Sequence, residues 1–227
     1  MARTVNTAVH AIRREAFLDA AQRLIQTKGY EQMSVQDVLD ELDASRGAFY
    51  HYFDSKAALL EAVIDRMVVA ALATVTPIVD HPKLPATEKL TRLFSGIARY
   101  KAERKELLLA IMRTWYSDDN ALVRDKLRRE TVTYLAPLLA TVVRQGKAEG
   151  VFEVNSPADS ARVLVWFLQG VQDLAGELFL ALGAGTITFE AVVARFAAHL
   201  DAFERILGAP AGTVTIIDTE TLREWYG

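Results

Sequence analysis

The chain has 227 residues, is 51% hydrophobic, lacks cysteine, and carries 26 Lys and Arg against 29 Asp and Glu, for a net charge of −3. So much apolar surface excludes an intrinsically disordered chain and suffices for the cores of one or two domains. The missing cysteines exclude a disulfide framework and thiolate metal sites and suit a reducing cytosol. The charge excludes a generally basic nucleic-acid binder, so any binding of that kind must rest on where charge is placed.

Residues 1–14 hold Arg3, His10, Arg13 and Arg14, with no acid before Glu15. Without a long apolar run they do not read as a secretory signal. They predict either a polar, disordered terminus or an arm that follows phosphates or enters a minor groove. A first helix is predicted over about Val9 to Lys28, with Phe17, Ala20, Ala21, Leu24 and Ile25 on one stripe and Gly29 as its stop. Ser34, with Asp37 three residues on, predicts a capping box at the start of a second helix, with Val35, Val38, Leu39 and Leu42 inward.

After the turn Asp43-Ala44-Ser45 comes a helix of about two turns, marginal alone in water. Phe49, Tyr52 and Phe53 share one face and must be held by packing; Arg46, Gly47, Tyr50 and His51 fall on the other. The outward side chains are of the kinds that bond phosphates and base edges, with Arg46 the candidate base reader. A helical Gly47 costs about 1 kcal/mol relative to alanine and suggests close approach of something to the backbone. Lys56, in the first turn of the next helix, is poorly placed for the helix dipole and suits a phosphate partner.

That fourth helix is predicted through Leu59, Leu60, Val63, Ile64 and Met67 to about Thr76, ending before Pro77. Asp80-His81-Pro82-Lys83-Leu84-Pro85 reads as a linker. Helices follow from about Thr87 to Arg104 and Glu106 to Tyr116, with a break at Asp118-Asp119-Asn120. The next runs to about Glu149 and continues through Pro137. Ser156-Pro157 starts a helix to about Leu182, and a last long one spans Phe189 to Leu207. In the tail, residues 213–217 alternate like a strand, and Asp218 can cap a short helix to Tyr226. No stretch of about 18 apolar residues is free of charge, so no membrane span is expected.

Val163, Phe167, Gly170, Val171, Leu174 and Leu178 recur at helical spacing, as do Val192, Phe196, Leu200 and Phe203. Apolar coverage of most of the circumference predicts burial on two sides, by the chain's own core and by a second copy in a four-helix dimer interface. Ordinary core helices of a monomer are the alternative. Met112, Trp115, Tyr116, Tyr134, Trp166, Gln169, Gln172 and Asp173 place aromatic and polar groups within apolar stretches, the mixture a ligand pocket needs, although each alone also fits core or surface. The histidines at 10, 51, 81 and 199 lack metal-ligand spacing, and no phosphate-cradling glycine loop or nucleophile elbow is present. No metal, cofactor or catalytic residues are expected.

Ser34-Val35, Val38, Leu39, Leu42, Asp43-Ala44-Ser45, the run Arg46-Gly47-Ala48-Phe49-Tyr50-His51-Tyr52-Phe53, and Lys56 together resemble the helix-turn-helix of the tetracycline-repressor (TetR) family. The resemblance covers roughly the first quarter of the chain. Asp43 stands where the family usually has glycine, and aspartate tolerates a left-handed backbone better than most residues. The resemblance implies an all-α fold with a helix-turn-helix domain at 1–55, a connecting helix at 56–79, an effector-binding and dimerisation domain at 80–208 and a tail at 209–227 of unknown role. It implies contacts to double-stranded DNA from Ser34, Ser45, Arg46, Gly47, Ala48, Tyr50, His51, Tyr52 and Lys56. The function implied is that of a cytoplasmic homodimeric repressor, released from a palindromic operator by a small hydrophobic effector. The alternative is a regulator without an effector, its C-terminal domain serving only dimerisation or protein contacts.

Overall fold

Short polar side chains set where most of the helices begin. Ser34, Ser45, Ser55, Ser156, Thr188 and Asp218 each accept a hydrogen bond from the backbone N–H three residues on, satisfying one donor that a helix start leaves open. The computed structural model describes residues 2–115 and 121–227, and among them are ten helices and no strand. They are α1 Ala2–Lys28, α2 Val35–Leu42, α3 Arg46–Tyr50, α4 Lys56–Val79, α5 Ala86–Ala102, α6 Lys105–Trp115, α7 Ala121–Ala148, α8 Pro157–Gly183, α9 Phe189–Leu207 and α10 Thr219–Tyr226. The all-α expectation holds, and α7 continues through Pro137. The predicted break at Asp118-Asp119-Asn120 lies outside the described residues.

Four local readings are corrected. First, α1 begins at Ala2, so the residues read as a terminal arm continue the helix. Second, α4 runs through Pro77. The proline removes one N–H only near the helix end, and the last turn still closes through Asp80 N–H to the Thr76 carbonyl. Third, α3 is only 5 residues long. Its second turn is completed by the N–H groups of Tyr52 and Phe53, both donating to the Phe49 carbonyl. Fourth, residues 213–217 form no strand. Their backbone finds side-chain acceptors instead: Gly212 and Val214 N–H donate to the Glu204 carboxylate, and Thr215 N–H to the Thr91 hydroxyl.

The chain divides into two compact units. One comprises Met1–Val68 with Arg104–Leu127, the other Val69–Glu103 with Arg128–Gly227. In the first, α1, α2, α3 and the start of α4 close over Leu18, Ile25, Val38, Phe49, Leu59 and Val63; α6 adds Leu107 and Ile111 to the same core. In the second, Leu90 and Leu93 of α5, Leu139 and Val143 of α7, Leu164 of α8 and Phe203 of α9 form the main core. A smaller cluster joins Leu178, Val192 and Phe196 to Leu222 of α10.

By length and composition alone α4 and α8 are long and apolar enough to cross a bilayer, although neither offers 18 apolar residues free of charge. Here their buried residues serve the cores: Leu59, Leu60, Val63, Val75 and Val79 from α4, and Leu164 and Val165 from α8.

Candidate nucleic-acid interface

The first unit is built to hold one short helix outward. Arg23 pairs with Glu41 and Lys28 with Asp37, tying α1 to α2; Arg66 of α4 bonds Glu15, Asp19 and Gln22 along α1. Exposed pairs contribute little singly. A guanidinium shared among three acceptors nevertheless fixes the rotation of α4 against α1.

Behind α3, Phe49 is fully buried, with ring centroids 5.8 Å from Phe17 and 5.7 Å from Phe53. Such pairs contribute about 0.5–1.5 kcal/mol each beyond area burial. The left-handed Asp43 (φ 48°, ψ 47°) ends α2 and turns the chain into α3, as its residue type allows.

In front, Ser45, Arg46, Gly47, Tyr50 and His51 are exposed. A Cβ on Gly47 would meet only the Ser45 hydroxyl at 3.9 Å, so nothing within the chain requires glycine there. Exposed Arg, Tyr, His and Ser supply donors, and an open backbone lets a partner approach closely.

The remaining sequence-chosen residues are more engaged with the protein itself. Ala48 and Tyr52 are half-buried at the edge of the core. Ser34 spends both its backbone N–H and its hydroxyl proton on Asp37 Oδ2, each at 2.8 Å, so it has no donor left for a phosphate. Lys28, followed by Ser34, holds the Asp37 carboxyl at about 2, well below its ordinary value. The Lys56 ammonium sits 4.3 Å from the centroid of the Tyr30 ring and donates to the Glu31 carbonyl at 3.3 Å. Its unfavourable place at a helix start is thus answered within the protein. Burial, then the Glu31 charge, raises the Tyr30 phenol above its ordinary value, keeping the ring neutral beneath the cation.

Sequence reasoning missed the company His10 keeps. Its ring lies 5.3 Å from His51 and 4.5 Å from Tyr52, centroid to centroid, so α1 joins the edge of the α3 face. The signal was present: His10, Arg14 and Phe17 are spaced for one helical stripe, Phe17 packs on Phe49, and Arg14 lies over the Phe53 ring.

Five of the expected pocket residues, Tyr134, Trp166, Gln169, Gln172 and Asp173, fall in the second unit. Tyr134 and Trp166 are 42% and 48% exposed, and Gln172 is exposed too. Gln169 donates to the Arg128 carbonyl, and Asp173 pairs with the Arg128 guanidinium. The buried Gln169 Oε1 has no hydrogen-bond partner among the described residues. Trp166 borders a surface groove of about 540 Å³ between α7 and α8, with Val132, Ala136, Pro137, Ala158 and Arg162 in its lining. The Met112 and Trp115 side chains and all of Tyr116 lie outside the described residues.

Of the expected dimer-facing residues, Leu178, Val192, Phe196 and Phe203 are buried by their own chain and have no surface to offer, a correction to the sequence reading. Val163 and Gly170 are exposed, while Phe167, Val171, Leu174 and Leu200 are half-buried.

Residues 17–63 match the family described as "Bacterial regulatory proteins, tetR family". Over 55 residues the chain is 47% identical to an HTH-type transcriptional regulator of Lactococcus lactis subsp. lactis; the match covers 24% of this chain and only 28% of that protein. It is 24% identical to the HTH-type transcriptional repressor KstR2 of Mycolicibacterium smegmatis, over 78% of this chain and 92% of the relative. The crystal structure of a TetR transcription regulator from Haloarcula marismortui shares the fold with a TM-score of 0.59, at 21% identity, over 87% of this chain and 97% of that one.

Proposed function

We propose that this chain, which belongs to the tetR family of bacterial regulatory proteins, is a transcriptional repressor that grips a palindromic DNA operator as a homodimer and is released by a small apolar effector. It acts in the cytoplasm, where the operator is. The observation that carries DNA binding is the α3 face: exposed Ser45, Arg46, Tyr50 and His51 around an unobstructed Gly47, braced from behind by Phe17, Phe49 and Phe53. Arg46 pairs bidentately with guanine, Tyr50 and His51 meet phosphate or sugar, and Gly47 lets the α3 backbone come close. A two-fold axis sets the two copies of α3 in successive major grooves, roughly 34–36 Å apart.

Effector release is supported by the place of α6. It puts Leu107 and Ile111 into the core that holds α3, although the chain on both sides of its segment belongs to the other unit. A ligand that favours one arrangement of the second unit can therefore bias the first. The repressor sense follows KstR2, which aligns over most of both chains.

Selection of bound fragments from random duplexes gives the operator. On it, Arg46→Ala weakens binding by about 1–3 kcal/mol and relaxes preference at one base position. Gly47→Ala leaves thermal stability unchanged or raised and still weakens binding. Wild-type affinity in both variants would remove α3 from the interface.

A further inference from the structure

We propose, resting on the DNA-binding reading above, that His10 of α1 and His51 at the end of α3 close together on one backbone phosphate of the duplex, and that DNA binding therefore takes up protons on this pair. The two rings stand 5.3 Å apart, centroid to centroid, with their planes at 76°. Both residues are exposed. Among the described residues no carboxylate pairs with either ring and no hydrogen bond engages it. Two imidazoles from different helices thus meet at the surface with nothing in the chain to bond to.

The pair is in place before DNA arrives. The buried Phe17 ring backs Tyr52 at 5.6 Å, and His10 lies on the Tyr52 ring at 4.5 Å, where an aromatic face favours a cation. The His51 backbone N–H donates to the Gly47 carbonyl at 3.2 Å, which fixes it in the last turn of α3. The pair flanks the outward face of α3 on its α1 side. Base edges lie on the floor of a groove and phosphates along its walls, so side chains flanking an inserted face meet a wall.

The charged groups around the pair are Arg13 and Arg14 of α1 and Arg46 of α3. Arg14 lies over Phe53 and pairs with Glu15 at 3.7 Å, and Glu15 turns to Arg66 at 3.0 Å. Asp54 follows α3 and is exposed, and Tyr50 and Tyr52 supply the phenols. Arginine, carboxylates and phenols ordinarily keep one charge state between about pH 6 and 8, whereas histidine changes its own there. Two imidazolium charges this close repel each other, and an anion set against both replaces that repulsion with two attractions. The phosphate complex thus favours the protonated pair, and affinity rises as pH falls.

Fluorescence anisotropy of the full chain on its selected operator, at pH 6 and pH 8 and one ionic strength, tests this, with circular dichroism melting at both values as the check on folding. Wild type is expected to bind roughly 10-fold or more tighter at pH 6. His10→Phe keeps a ring on Tyr52 but cannot charge; it should melt as wild type does and show a pH ratio of about 3-fold or less. His51→Asn should lower the ratio similarly, and the double variant should abolish it. His81 and His199 lie in the second unit and are kept throughout, so they cannot account for the difference. Replacing operator phosphates singly by methylphosphonate should reveal one per half-site whose loss removes the ratio. A wild-type ratio near 1, a full ratio in the double variant, or no such phosphate would overturn the clamp, while the DNA reading stands as long as Arg46→Ala weakens binding at both pH values. If wild type selects no duplex at either pH, both fall.

Discussion

Asp37 shows how much one side chain settles in the first unit. One carboxylate oxygen takes the Lys28 ammonium at 2.6 Å; the other takes the Ser34 N–H and hydroxyl. Together they depress its pKa to about 2 from an ordinary 3.8. The folded-state value is the lower one, so the charge stabilises the fold above the unfolded value and that contribution fades as pH falls from about 4 through about 2. Wild type should therefore exceed Asp37→Asn in urea-unfolding stability at pH 6, and the gap should close towards pH 2; a gap independent of pH would mean that the charge is not what Asp37 contributes. The Ser34–Asp37 box was legible in the sequence, because both partners lie within one turn. That the same bonds would exhaust Ser34 as a donor was not legible, since it depends on which way its hydroxyl points. Lys56 taught the same lesson: the misfit with the dipole could be read, but Tyr30, the partner that resolves it, is brought there by the fold.

At the scale of elements, helices and their ends were largely readable, as α9 and the caps of α8 and α10 show, because caps and apolar spacing are local. The tail was misread because its alternation says only that Val214 points inward and Thr215 outward. A strand needs a neighbour to bond with; residues 212–214 instead find the carboxylate of Glu204, a residue only 3% exposed, which accepts the N–H of Gly212 at 3.0 Å and of Val214 at 2.9 Å. Beyond them α10 packs Leu222 onto Leu178, Val192 and Phe196, and the Tyr226 hydroxyl donates to the Ala175 carbonyl. Glu204 is thus the post to which the last element is tied. Glu204→Leu would leave the buried Val214 N–H without a partner and loosen the Gly212 turn, at a cost of about 2–4 kcal/mol. Glu204→Gln keeps one acceptor and should lose roughly half as much. Urea unfolding gives the ordering, and limited proteolysis should cut Glu204→Leu first within 209–218; a tail still protected in that variant would show that α10 alone holds it.

For the whole molecule, what could not be read was which elements belong together. The apolar stripe of α6 announces that it is buried and does not say against what. In the sequence it follows α5 and precedes α7, both with cores in the second unit, yet it packs on α1 in the first. Leu107 is fully buried there and Ile111 is 6% exposed. Full burial of each such side chain is worth about 1.5–3 kcal/mol, against a total stability of about 5–15 kcal/mol for a domain. A fragment of residues 1–68 keeps every element that presents α3 and gives up both of these contacts, so it should lose a large part of its unit's stability. In the intact chain, Leu107→Ala should cost about 2–5 kcal/mol, and the cost should fall in a particular place. Amide exchange should quicken in α1, α2 and α4 around Leu18, Val38 and Leu59, while α8 and α9 keep their wild-type protection. Faster exchange confined to the second unit would mean that α6 belongs there, and that the core holding α3 is complete without it.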